Sequence, residues 1–79
     1  MKWIIYGETV INLHHITTWW GCKRDDPSYE LPFVITFEVK DQTVLEIDFP
    51  SKEIQEKCFN EIITFIKNKN SIFFIIPEY

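Results

Sequence analysis

The sequence predicts an α+β domain: a four- or five-stranded, mainly antiparallel sheet, one amphipathic helix at about residues 51–67 packed on one face, and an apolar C-terminal strand. Three observations carry this reading. Residues 33–40 and 44–49 alternate apolar and polar side chains with the period of two expected of a half-buried strand. Residues 51–67 place apolar side chains at helical spacing along one broad side. The run Ile72-Phe73-Phe74-Ile75-Ile76, bounded by Ser71 and Pro77, is short enough for a strand and apolar on both of its faces.

In chain order, Lys2 to Tyr6 and Thr9 to Leu13 flank Gly7-Glu8. Glycine at the first of two loop positions is the signature of a type II′ hairpin turn, so the first two strands are expected to pair. The second strand is expected to run on through Trp20. Its apolar phase changes between Leu13 and Ile16, which predicts a β-bulge near Asn12-Leu13-His14-His15. Gly21 to Pro32, with two prolines and the charged run Lys23-Arg24-Asp25-Asp26, reads as the one long loop.

Phe33, Ile35, Phe37 and Val39 then share a face, as do Leu45, Ile47 and Phe49. An unbroken ladder between the two would pair Val39 with Leu45, Phe37 with Ile47 and Ile35 with Phe49 across an odd loop, excluding a two-residue turn. It would also set Glu38 opposite Glu46 and Thr36 opposite Asp48, which predicts a nearby cation. Ser51 is a good helix N-cap, and Glu53 sits in the first turn where the helix dipole favours a carboxylate. Ile54, Cys58, Phe59, Ile62, Phe65 and Ile66 form the expected inner side of the helix, and Asn68-Lys69-Asn70-Ser71 ends it.

At 79 residues the chain is expected to be one domain, 1–79. A chain of this size buries only roughly 60–65% of the surface its unfolded form exposes. Its composition, 46% hydrophobic and 16% aromatic, nevertheless argues for folding. Two cysteines, Cys22 and Cys58, do not make a disulfide framework. Oligomerisation is the remaining way for a small scaffold to supplement a thin core, and Ile72, Phe73, Phe74, Ile75 and Ile76, with Trp3 to Tyr6, are the expected interface. The sequence shows no signal-peptide pattern and no run of about 18 apolar residues, so a cytoplasmic protein without membrane contact is expected. A net charge of −4 argues against nucleic acid as a partner.

Site chemistry is sparse. With Gly7 and Gly21 the only glycines, no phosphate-binding loop of either common type can form. Ser28, Ser51 and Ser71 lie in turn or cap contexts rather than a nucleophile elbow. His14-His15 alternates across a strand and, with Cys22, matches no established metal spacing. Cys22 beside Lys23 and Arg24 reads as an exposed loop thiol, and Cys58 as a buried small hydrophobe. Glu38, Glu46 and Asp48 make an acidic outer stripe of the kind normal on a half-covered sheet. No enzyme activity, metal or cofactor is expected. The group Trp19, Trp20, Lys23, Arg24 and Tyr29 combines the residue types that dominate interface hot spots, and the same types can stack a nucleobase.

The order of strand, bulged strand, loop, two strands and amphipathic helix resembles small pleckstrin-homology-like modules. The opening Lys2-Trp3-Ile4-Ile5 with Val10-Ile11-Asn12-Leu13-His14-His15-Ile16 is similar to the start of short bacterial proteins of that plan. The resemblance covers about residues 1–67 and implies a binding scaffold with no defined ligand. The chain departs from it in having too few strands for a full barrel and an apolar segment after the helix. The expected function is therefore a non-enzymatic protein–protein interaction module, an adaptor or a phage or mobile-element inhibitor, that homo-oligomerises through its apolar terminal strands. The alternative is a small-ligand or nucleotide-sequestering protein with a pocket between subunits around Trp19, Trp20, Lys23, Arg24 and Tyr29.

Overall fold

The computed structural model describes residues 1–79. Six strands and one α-helix follow in the order β1 (Trp3–Tyr6), β2 (Thr9–Asn12), β3 (Thr18–Lys23), β4 (Phe33–Val39), β5 (Gln42–Phe49), α1 (Lys52–Lys67) and β6 (Phe73–Ile75). The strands form two three-stranded sheets, β2-β1-β6 and β3-β4-β5, rather than the single four- or five-stranded sheet the sequence predicts. The division falls where the apolar phase of the second strand changes. Asn12 accepts a hydrogen bond from the His14 backbone through its side chain at 3.0 Å, and a 3-10 turn over Leu13–His15 takes the place of the expected bulge. That turn ends one strand and lets the next enter a different sheet.

Gly7 turns the β1–β2 hairpin at φ 58°, the positive value the predicted II′ turn requires at its first position. β6 joins the other edge of β1 in parallel, with Trp3 beside Phe73, Ile4 beside Phe74 and Ile5 beside Ile75. Lys2 ties the two chain ends further, its ammonium donating to the Asn68 carbonyl at 2.5 Å and the Ser71 carbonyl at 2.6 Å.

The β4–β5 hairpin corrects the predicted register by two residues: Phe37 pairs with Leu45, Ile35 with Ile47 and Phe33 with Phe49. The loop is the two-residue turn Lys40-Asp41, both with positive φ (51° and 66°), as a type I′ turn requires. A bulge reconciles this even loop with apolar faces that are odd-numbered on both strands. The ladder shifts after Phe37, so that Glu38 faces Thr43 and Val44 is left without a partner. Glu38 and Glu46 are therefore not opposed.

Ser51 caps the helix, accepting from the Ile54 N–H at 3.2 Å, and Glu53 lies in the first turn. The core joins both sheets to the helix: Ile4 and Ile76 from β1 and the residue after β6, Ile35, Phe37, Ile47 and Phe49 from β4 and β5, and Cys58, Ile62 and Phe65 from α1. Phe33, Leu45 and Ile54 pack against this cluster only partly buried. Ile66, expected inside, is 38% exposed, and Gln55 is buried in the apolar stripe instead. The helix crosses the middle of the three-stranded sheet, so its inward arc is centred on the line of Gln55, Cys58, Ile62 and Phe65, and Ile66 falls beyond it.

Candidate interaction surfaces

The five residues of the aromatic and basic corner occupy both faces of the β3-β4-β5 sheet. Trp19 pairs with Phe37 on the helix side and stacks on Phe37 and Phe59, with centroids 5.7 and 4.2 Å away. Trp20 pairs with Thr36 on the opposite face and is exposed there. Strand alternation separates the two neighbours as it must. Lys23 places its ammonium 5.5 Å from the Phe33 ring.

A cation, Arg24, does lie beside the acidic stripe, although the opposition of Glu38 and Glu46 from which one was expected is absent. Its guanidinium donates to Asp48 at 2.5 Å and Glu46 at 2.8 Å, and Tyr29 stacks on it at 4.7 Å. The hydrogen bond to Asp48 holds the guanidinium above its already high ordinary pKa, against partial desolvation of the group. To reach β5 from the end of β3 this side chain spans the outer face of the central strand. Val34 and Thr36, predicted to lie on a solvated face, are accordingly buried. In the following loop the Ser28 N–H donates to Asp26 at 2.9 Å and lowers that carboxyl's pKa.

His14 and His15 stand exposed on the 3-10 turn with ring centroids 6.3 Å apart. Cys22 and Cys58 are both free thiols, the first exposed and the second buried. Burial, and secondarily the charge of Glu61, pushes the Cys58 thiol up to about 11. Where the two sheets meet, burial also raises the Tyr6 phenol, helped by the charges of Glu78 and Asp48.

The β2-β1-β6 sheet has two unlike faces. Ile4 and Phe74 point inward, while register places Trp3, Ile5, Val10, Phe73 and Ile75 together on the outside. Of these, Val10, Phe73 and Ile75 are 57%, 59% and 62% exposed, and no polar residue lies among them except Asn12 at the rim. Two paired rows, Trp3 with Phe73 and Val10 with Ile5 and Ile75, thus form one contiguous outer patch. Of the expected interface residues, Phe73 and Ile75 belong to it, Ile72 is exposed beside it, Phe74 is half-buried and Ile76 is core. The strand is apolar on both faces because one packs inward; only the other is left open. The β6 edge is open as well. Trp3 N–H donates to the Ile72 carbonyl and Ile76 N–H to the Ile5 carbonyl, which turns the backbone groups of Phe73 and Ile75 away from β1.

Sequence reasoning missed Gln55. Its side-chain amide donates to the Cys22 carbonyl at 2.9 Å and the Val34 carbonyl at 2.7 Å, pinning the helix to β3 and β4. Gly21 leaves room for this approach: a Cβ there would stand 3.1 Å from the Gln55 amide nitrogen and press it back by a few tenths of an ångström. Nothing in a lone Gln and a lone Gly 34 positions apart signals that pairing.

No helix is long and apolar enough to cross a membrane. No family model, curated protein or solved structure matches the chain.

Proposed function

We propose that this chain is a non-enzymatic protein–protein interaction module of the cytoplasm, an adaptor or inhibitor, that self-associates through the outer face of its β2-β1-β6 sheet. The observation that supports it best is that exposed Val10 on β2 and exposed Phe73 and Ile75 on β6 flank half-buried Trp3 and Ile5 of β1 on one face. Large apolar side chains exposed side by side mark an interaction site more often than apolar residues scattered singly. A second copy is the simplest complement, because a two-fold axis sets the same apolar patch against itself.

Light scattering on the intact chain tests this. An oligomer is expected, converting to a monomer in the double variant Phe73→Ser, Ile75→Ser with unchanged circular dichroism, since both side chains are exposed. An intact chain that is monomeric at all accessible concentrations would overturn the reading.

A further inference from the structure

β3 is an edge strand, and the phase of its hydrogen bonds can be read from its end. Arg24 N–H donates to the Pro32 carbonyl at 2.8 Å, in register with the pairing of Cys22 with Val34 and Trp20 with Thr36. In an antiparallel ladder, residues in this phase exchange their bonds with the neighbouring strand, and the alternate residues turn theirs outward. The N–H and C=O groups of Trp19, Gly21 and Lys23 therefore line the free edge.

Beside that edge runs the first half of α1, and between them lies a groove of about 450 Å³. Phe33 and Phe59 supply its apolar surface, Gly21 and Gln55 line it between them, and of its charged groups Lys23 and Lys52 outnumber the one carboxylate, Glu56. The two bonds from Gln55 to the Cys22 and Val34 carbonyls fix strand to helix, so the groove is formed in advance of any ligand. Its charge runs against the rest of the molecule, whose net charge is −4. Lys52 is the first helical residue, where the dipole favours a carboxylate rather than an ammonium. Its contact with Glu56, at 3.8 Å between two exposed side chains, offsets little of that cost.

We propose that this groove binds an extended segment of a partner protein, added as a fourth strand along β3. A strand adding there makes main-chain bonds to Trp19, Gly21 and Lys23, and every second side chain faces the helix. The segment that fits has an apolar side chain for Phe33 and Phe59 and, two positions away, a carboxylate for Lys23 and Lys52. This site lies on the other sheet from the self-association face and does not depend on it.

The test pans a display library of random dodecapeptides on the full chain. Enrichment of apolar-x-acidic sequences is expected, and the best synthetic peptide should slow amide exchange at Trp19, Gly21 and Lys23. The double charge reversal Lys23→Glu, Lys52→Glu should weaken that peptide by about tenfold or more, while the Phe73→Ser, Ile75→Ser variant binds it unchanged. Since Lys23 and Lys52 are exposed, both variants should fold. No enrichment, protection of Phe73 and Ile75 instead, or indifference to the charge reversal would each overturn the proposal. A monomeric chain that still binds the peptide would remove only the self-association reading.

Discussion

Cys58 and Arg24 show how single side chains are set by what surrounds them. The Cys58 thiol is buried against the core, and burial keeps it protonated to a pH near 11, compared with 9.0 for a free thiol. Because the folded state holds this proton more tightly than the unfolded chain, the thiol's contribution to stability is complete below pH 9. It falls as pH rises through 9 toward 11, where the unfolded chain ionises first. Two measurements check this: denaturation midpoints should decline over that interval in the native chain and less steeply in Cys58→Ala, and iodoacetamide at neutral pH should modify Cys22 while sparing Cys58. Arg24 illustrates the opposite case, a charge kept by partners at the surface. Glu46 and Asp48 are nearly half exposed, so the double variant Glu46→Gln, Asp48→Asn, which leaves the Arg24 side chain in place over Val34 and Thr36, is expected to cost no more than about 1 kcal/mol, and less in high salt, as read by urea titration.

At the scale of elements, the helix was the most legible part of the sequence, because its cap, first-turn carboxylate and apolar spacing agree with one another. Ile62, fully buried at its centre, should cost about 2–5 kcal/mol when replaced by Ala. A loss near zero on urea denaturation would contradict the core described above. The strands were legible in position and less so in pairing. Alternation told which face of β4 and β5 is apolar, but a single bulge at Val44 converted the odd loop that alternation implies into the two-residue Lys40-Asp41 turn. Local pattern cannot report a bulge that changes pairing without disturbing either strand's own period. The phase change at Leu13 to Ile16 was visible, yet a 3-10 turn between two sheets leaves the same mark on the sequence as a bulge within one. The candidate corner divided for a simpler reason: adjacent residues such as Trp19 and Trp20 must point to opposite faces, and the sequence does not say which face the helix covers.

The whole molecule is two small sheets that share one core. Ile4 and Ile76 from one sheet cluster with Ile35, Phe37, Ile47 and Phe49 of the other and with the helix, so the β2-β1-β6 sheet contributes to a core that it does not form alone. Unfolding is therefore expected to be a single transition. In the Trp3→Phe variant, fluorescence follows Trp19 and Trp20 in the second sheet, and its urea curve should superimpose on far-ultraviolet circular dichroism. An early dichroism change without a fluorescence change would mean that β2-β1-β6 melts alone. The apolar outer face and the groove at β3 lie on different sheets of this one unit, so occupancy of one leaves the other open.

The parallel pairing of β6 with β1 has a kinetic consequence. It joins positions as distant as Lys2 and Ser71, 69 residues apart, whereas β4 and β5 are joined by a two-residue turn. The entropy lost in closing a loop grows with its length, and contacts of long range slow the search for the native topology. The β4–β5 hairpin and α1 thus have the head start, and the β1–β6 seam is expected to close last. Until it does, Ile4 and Phe74 lie open along with the face that carries Phe73 and Ile75. Refolding yield should then depend more on how dilute the chain is during that final closure than on how stable the finished fold becomes.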